Sequence, residues 1–478
     1  MMFFTMFRLH EGDFRYVLPF VIFYSFLKVG DYALGAIGTV TNPYRLAQWC
    51  LAIAAAGAFF EMFGFAWLGF EDIGAILMGA SLSVFGPMYK TVKADLKKSG
   101  DYPYPHASQW GMLVMVALFF VIMLLPDHYS EGTYVAYFLL LIVSLTTIHA
   151  LTRHEPGYRK PLFDTSTRDW RHIIPAVALL LLVFVVRLFR QTADAGDVML
   201  MFIAATLVVV TALAKLGRRK AHFEFHSMYY SEVLIYVILF GVFIFIGEGR
   251  TELLLLMFAA MFAAQFLAQT FAGRLMARAP RLRVSNVIIC ALIVTSPLML
   301  FRQTYFLGCF VTFALTTAGH IRVNQLYAQR QPHPRLGAQL SNQYMSDLGI
   351  IAGQTELVIA LAVVSWAMAH STTIAVAAYA FHIPRPSLER VFLVTAIVCT
   401  LIFDVQGALL LGAHLCGEEV FELPRDASDD VREATGEAAP EVPTHDATSM
   451  SATPSTAMPT STGASPGAPS AGSAGDAA

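Results

Sequence analysis

The sequence predicts an all-α polytopic membrane protein: two six-helix halves, one further N-terminal helix and a disordered C-terminal tail. Three observations carry this. Hydrophobic residues make up 56% of the 478 positions and charged residues only 14%, where a soluble domain carries about a quarter charged residues. The apolar residues gather into long segments, and a bilayer span takes about 20 of them. The basic residues fall in every second gap between those segments, as the positive-inside rule requires.

The mean hydropathy is +0.58. The net charge of −2 hides an asymmetry, because residues 417–478 carry −9 and the rest of the chain +7. The five cysteines (Cys50, Cys290, Cys309, Cys399 and Cys416) form no C-x-x-C or Cys/His cluster, so neither a disulfide framework nor a zinc site is expected. No cleaved signal peptide is read at the start. No cofactor is expected, and no nucleic-acid partner; the partners expected are a small-molecule solute and the lipid bilayer.

Taken in order, the first apolar segment is Tyr16–Val40. Its Lys28 and Asp31 are three apart and can pair on one face; the segment either spans or lies at the interface. Six segments follow: Leu46–Phe70, Ile73–Tyr89, Gln109–Leu125, Thr133–Leu151, Ile173–Phe189 and Val198–Leu216. A basic connector, residues 217–227, then leads to six more: Met228–Ile246, Leu253–Phe271, Val284–Phe301, Tyr305–Tyr327, Leu340–Ala369 and Val391–Leu415. The divisions are 1–44, 45–216, 217–227, 228–416 and 417–478.

The alternation of basic loops is regular. Lys90, Lys93, Lys97 and Lys98 follow the third segment, and Arg153, Arg159, Lys160, Arg168 and Arg171 the fifth. Lys215, Arg218, Arg219 and Lys220 follow the seventh, Arg274, Arg278, Arg281 and Arg283 the ninth, and Arg330 and Arg335 the eleventh. These loops belong in the cytoplasm of a cell whose plasma membrane holds the chain, and the tail with them. The tail is acidic, then rich in Ala, Ser, Thr, Pro and Gly, and cannot bury a core.

The segment Leu340–Ala369 organises the rest. Gln343, Asp347 and Gln354 recur at helical spacing and share one face. Gly349 and Gly353 form a G-x-x-x-G on another face, where a second helix can approach closely. Asp347 lies roughly 13 Å deep, at about 1.5 Å per residue. An aspartate there costs about 2.5–3.5 kcal/mol against lipid, so it should face the bundle interior or a watery cavity. Asp347 is the first candidate for solute or proton binding; structural pairing with an arginine is the rival. Asp404, Glu232, His320, Arg322 and Glu61 are further candidates. Glu232 and Arg322 lie near span ends and can reach the interface, Arg322 by snorkelling, and Glu61 lies where water can reach it. A carboxylate inside a bundle can take up and release protons, so proton coupling is an expectation.

His222-x-Glu224-x-His226 places three metal-ligand types at alternate positions, which align on an extended strand. It sits in the basic connector with no fourth ligand nearby, and is read as a solvated loop.

The loop after the ninth segment reads Gly273-Arg-Leu-Met-Ala-Arg278-Ala-Pro-Arg281-Leu-Arg283. This resembles the major facilitator superfamily signature G-x-L-x-D-R-x-G-R-R, with Gly273, Leu275, Arg278 and Arg281 matching. Ala277 stands where that family has Asp and Pro280 where it has Gly. The corresponding first-half stretch, Gly86-Pro-Met-Tyr-Lys90, keeps only the glycine and the basic character. The resemblance implies two halves around a cavity that opens alternately to either side, with Gly273, Arg278 and Arg281 in a gating loop. It implies a secondary transporter of a small solute and no enzyme. No G-x-x-x-x-G-K-[ST] P-loop is present, so an ion gradient is the energy source by elimination. Two other readings stand beside it. One is a membrane enzyme such as a lipid-linked glycosyltransferase, hooked on Glu71–Asp72 in a short outward loop. The other is a scaffold with the tail as its partner site.

Overall fold

The computed structural model describes residues 14–64, 66–99, 114, 117, 130–170, 173–192, 222–247, 251–278, 283–301, 303–330, 335–371 and 388–415. The expected spans Gln109–Leu125 (apart from positions 114 and 117) and Val198–Leu216 lie outside these residues, as do residues 217–221 of the connector, Arg281 and the tail.

The described chain is almost wholly helical. The helices are α1 (Phe14–Val29), α2 (Pro43–Glu61), α3 (Gly69–Ser99), α4 (Ser130–Thr152), α5 (Ile173–Thr192) and α6 (His222–Gly247). They continue as α7 (Thr251–Arg278), α8 (Arg283–Thr295), α9 (Tyr305–Arg330), α10 (Arg335–Ala369) and α11 (Glu389–Leu415). Seven of them, α3, α4, α6, α7, α9, α10 and α11, are both long and apolar enough to cross a bilayer. An all-helical build follows from the solvent, because hydrocarbon offers the backbone no hydrogen bonds and a helix satisfies its own.

Three expected loops are helical. Glu71 and Asp72 form the first turn of α3, where carboxylates complement the positive end of the helix; Glu71 is buried there. Gly86–Lys90 is inside the same helix, which runs through Pro87 to Ser99. A proline removes one backbone donor, and Thr91 Oγ1 ties the turn by donating to the Pro87 carbonyl at 3.0 Å. His222–His226 opens α6, so residues two apart diverge round the helix instead of aligning. His226 is buried, its ring stacked 6.3 Å from that of Tyr230. Among the described residues no group of three or more His, Cys, Asp and Glu is placed to hold a metal ion.

The first apolar segment is not one straight span. α1 ends at Val29, a 3-10 turn covers Gly30–Ala33, and a single α-turn covers Leu34–Ile37. Gly30 marks the break: a Cβ there would sit 3.0 Å from the Ala80 Cα of α3. The segment is also no bystander, since α1 packs on α3 and α5 and touches α10. Thr39–Val40 then pairs antiparallel with Phe163–Asp164. Gly38 adopts φ 133° at the turn, and a side chain on it would strike the Asp164 carbonyl. Asp164 Oδ1 accepts from the Ser166 N–H at 3.0 Å and its hydroxyl at 2.6 Å. Those bonds hold its carboxyl below the usual range. Asn42 caps α2 by accepting from the Arg45 N–H at 3.0 Å, with Pro43 in the first turn.

The largest apolar core joins α6 through α11, with Tyr230, Tyr236 and Phe243 fully enclosed. A smaller core holds α2, α3 and α4 together. Large apolar side chains such as Trp49, Phe59, Val143 and Leu409 face outward, as a lipid solvent permits. α6 and α10 are the most enclosed spans, and the glycine pair explains their closeness. A Cβ on Gly349 would collide with the Met228 carbonyl, and one on Gly353 would lie 2.7 Å from the Glu232 carbonyl. Gly349→Val therefore forces the two backbones apart, at a cost of about 1–3 kcal/mol for overpacking. We expect a clearly lowered melting temperature for purified Gly349→Val. Gly412→Ala, whose Cβ meets nothing within 4 Å, should melt at or above the wild-type temperature.

Candidate functional site

The polar stretch of α10 is the centre of the site. Lys28 Nζ of α1 lies 2.9 Å from Asp347 Oδ1, with the lysine 15% and the aspartate 1% exposed. Gln343 Nε2 donates to the other carboxylate oxygen at 2.7 Å, and Lys90 Nζ of α3 donates to Gln343 Oε1 at 3.3 Å. So Asp347 faces the interior, and its charged partner is a lysine and not the arginine that the rival reading expected. Lys28 does not pair with Asp31. The helix stops at Val29, which takes Asp31 off the helical register that i, i+3 pairing needs.

The backbone around the pair is tied from both sides. Tyr32 hydroxyl donates to the Tyr344 carbonyl at 2.6 Å, Tyr344 hydroxyl to the Asp31 carbonyl at 3.0 Å, and the rings stack 4.8 Å apart. The Asp31 N–H donates to Ser83 Oγ of α3 at 2.9 Å. Asp31 is fully buried, and its carboxylate oxygens meet no hydrogen-bond partner among the described residues. It shares an electrostatic neighbourhood with Lys28 and Asp347.

Neighbouring positions on α10 reach the other helices. Ser227 Oγ of α6 donates to Asn342 Oδ1 at 2.6 Å, and Asn342 Nδ2 donates to Asn324 Oδ1 of α9 at 2.6 Å. Ser346 and Ser231 hydroxyls are 2.7 Å apart, and Ser231 Oγ is 3.3 Å from His320 Nε2. His320 also meets the Tyr230 ring edge-on at 5.9 Å. Gln354, seven residues beyond Asp347, is 0% exposed with both amide atoms unbonded among the described residues. An unmade buried bond costs about 1–3 kcal/mol, so a polar guest beside Gln354 would be stabilised.

The other sequence candidates are placed as follows. Glu232 is buried and accepts from Gln406 Nε2 of α11 at 3.0 Å; the same nitrogen lies 3.5 Å from Glu356 Oε1 of α10. Asp404 accepts from Ser296 Oγ at 3.0 Å, beside Tyr229 and Thr400. Arg322 is buried and not snorkelling, its relative exposure being 4%. Glu61 is also buried instead of water-facing, in a separate group with Glu71 and Tyr134. Gly273 and Arg278 belong to the last turns of α7.

Sequence reasoning missed Tyr32, Lys90, Glu356 and Gln406 as partners, and paired Lys28 with Asp31 instead of Asp347. Only Lys28 carried a usable signal, as a lysine well inside an apolar segment.

No protein-family model matches the chain, and no curated protein matches its sequence. Solved structures share its fold. The peptide transporter POT aligns with a TM-score of 0.52 over 88% of this chain and 91% of its own, at 11% identity. A POT family transporter in complex with 5-aminolevulinic acid also scores 0.52, over 86% and 92%, at 14% identity. The chain thus shares the fold of these solved transporters.

The buried pair makes a thermodynamic prediction. Removing one partner leaves a buried charge alone, at about 3–5 kcal/mol, whereas removing both does not. We expect Lys28→Ala and Asp347→Ala each to lower the melting temperature strongly. The double variant should recover much of that loss. Additive losses would mean that the pair is not coupled.

Proposed function

We propose that the protein is a secondary transporter that moves a small polar solute across the plasma membrane by alternating access. The single observation that carries this is the buried Lys28–Asp347 pair between α1 and α10, inside a transporter fold. A solute bearing an amine competes for Asp347, and one bearing a carboxylate competes for Lys28. Either would part α1 from α10 and loosen the tyrosine ties beside them. A small zwitterion fits both ends.

The division into halves 45–216 and 228–416 goes with this reading, as does the placement of the basic loops and tail in the cytoplasm. α1 then lies where it meets α3 and α5 of the first half and α10 of the second. Gly273 and Arg278, which lie in the last turns of α7 and not in a loop, would form the gating segment together with Arg281.

Proton coupling is part of the proposal. Glu232 and Glu356 approach one Gln406 nitrogen. Two carboxylates held so close are an arrangement for sharing a proton. The enzyme reading has lost its support, because Glu71 is buried in a helix and does not lie in an open loop.

The test is a thermal-shift screen of the purified protein with sugars, amino acids, peptides, nucleosides, organic anions and organic cations, at pH 5.5 and 7.5. A ligand of the folded state at 100 times its Kd stabilises it by about 2.7 kcal/mol. We expect a hit that vanishes in Asp347→Ala and whose strength changes with pH in wild type but not in Glu232→Gln. A hit that survives in Asp347→Ala and Lys28→Ala would sink the site assignment.

A further inference from the structure

A second group of buried polar side chains lies away from the central pair. Glu61 ends α2, Glu71 stands in the first turn of α3, and Tyr134 lies near the start of α4. Their exposures are 1%, 2% and 2%. Both Glu61 carboxylate oxygens, Glu71 Oε2 and the Tyr134 hydroxyl have no hydrogen-bond partner among the described residues. The two carboxylates are near enough to repel each other, and the Tyr134 hydroxyl feels both.

The backbone is shaped around them. A side chain on Gly74 would overlap Glu61 Cγ, and one on Gly64 would overlap the Glu71 carboxylate. Both glycines thus leave room for the acids to lie flat against the backbone. Asp72, next in the chain to Glu71, is half-buried, and the Tyr137 hydroxyl of α4 is near enough to Glu61 to feel its charge. Lys28 is no partner here. It is level with Gly79 of α3, against which Leu27 packs, so it is at least eight residues, about 12 Å, along the helix from Glu71.

Buried charges are paired or hold a metal ion. Two carboxylates and a phenol hydroxyl lie close together here, and among the described residues no basic side chain bonds to them. The donor set is all oxygen, which suits hard cations and not those that seek thiolate or imidazole. The positive end of α3 offsets part of the double negative charge, which favours a single positive charge as guest. We propose that Glu61, Glu71 and Tyr134 form a binding site for a small monovalent metal cation of the sodium type. The inference does not depend on the transport reading, and its test does not use transport.

Melting of the purified full-length chain is followed in sodium, potassium, calcium and choline chlorides at constant ionic strength. The expected result is a saturable rise in melting temperature with sodium, larger than with potassium and absent with choline. The rise should disappear in Glu61→Gln and persist in Asp347→Asn, whose site is elsewhere. Tyr134→Phe, which loses one hydroxyl and keeps the ring, should need about tenfold more sodium for the same rise, equivalent to about 1.4 kcal/mol. Equal melting in all four salts would overturn the site. So would a sodium effect that survives in Glu61→Gln and Tyr134→Phe, or stabilisation by calcium alone.

Discussion

A lysine and an aspartate facing each other inside a helix bundle make the constraint on which the rest of this structure depends. Either charge alone in such a place would be strongly destabilising. The Lys28–Asp347 pair therefore fixes where α1 meets α10, and does so with two hydrogen-bonding oxygens. Once that contact is set, Tyr32 can reach the Tyr344 carbonyl and Tyr344 the Asp31 carbonyl. The pair contributes position more than net stability, since well-packed apolar residues often do as well or better. On the transport proposal, a costly pair at a helix crossing suits a contact that solute binding opens.

α10 is the hub because its sequence does two jobs on two faces. One face sends Gln343 and Asp347 to α3 and α1. The other carries Asn342, Ser346, Gly349 and Gly353, and brings side chains and backbone against α6, with Asn342 reaching α9 as well. In a bilayer, close packing and interhelical hydrogen bonds take the place of the hydrophobic drive between helices. The same helix thus couples the polar interior to the largest apolar core. Farther along it, Glu356 meets Glu232 through Gln406, so two polar clusters are mounted on one rigid element.

What could be read from the sequence was what depends on local period and composition. The helical class, most span positions, the burial of Asp347 and the close approach at Gly349 and Gly353 all follow from patterns within one segment. Partners on other segments left no such trace. Nothing in the order of residues says that Lys28 meets Asp347, 319 positions away, or that Gln406 meets Glu232. Helix ends were misread where charge suggested a loop. Glu71–Asp72, Gly86–Lys90 and His222–His226 are polar, yet each lies in a helix longer than a bilayer demands. Helices that overhang the membrane keep their backbone bonds in water as well, so polarity alone does not end them. Glu61 and Arg322 were placed near water by their distance from span ends, and neighbouring helices cover them instead.

The most direct measurement is uptake into proteoliposomes by the double variant Lys28→Ala/Asp347→Ala, with the solute found by thermal shift. The double variant lacks both charges and so avoids the unpaired charge that each single variant buries. If the pair is the part that solute binding opens, this protein melts close to wild type, yet its uptake falls to the level of empty vesicles. Wild-type uptake by a well-folded double variant would contradict the account, and would leave the pair as a structural tie alone.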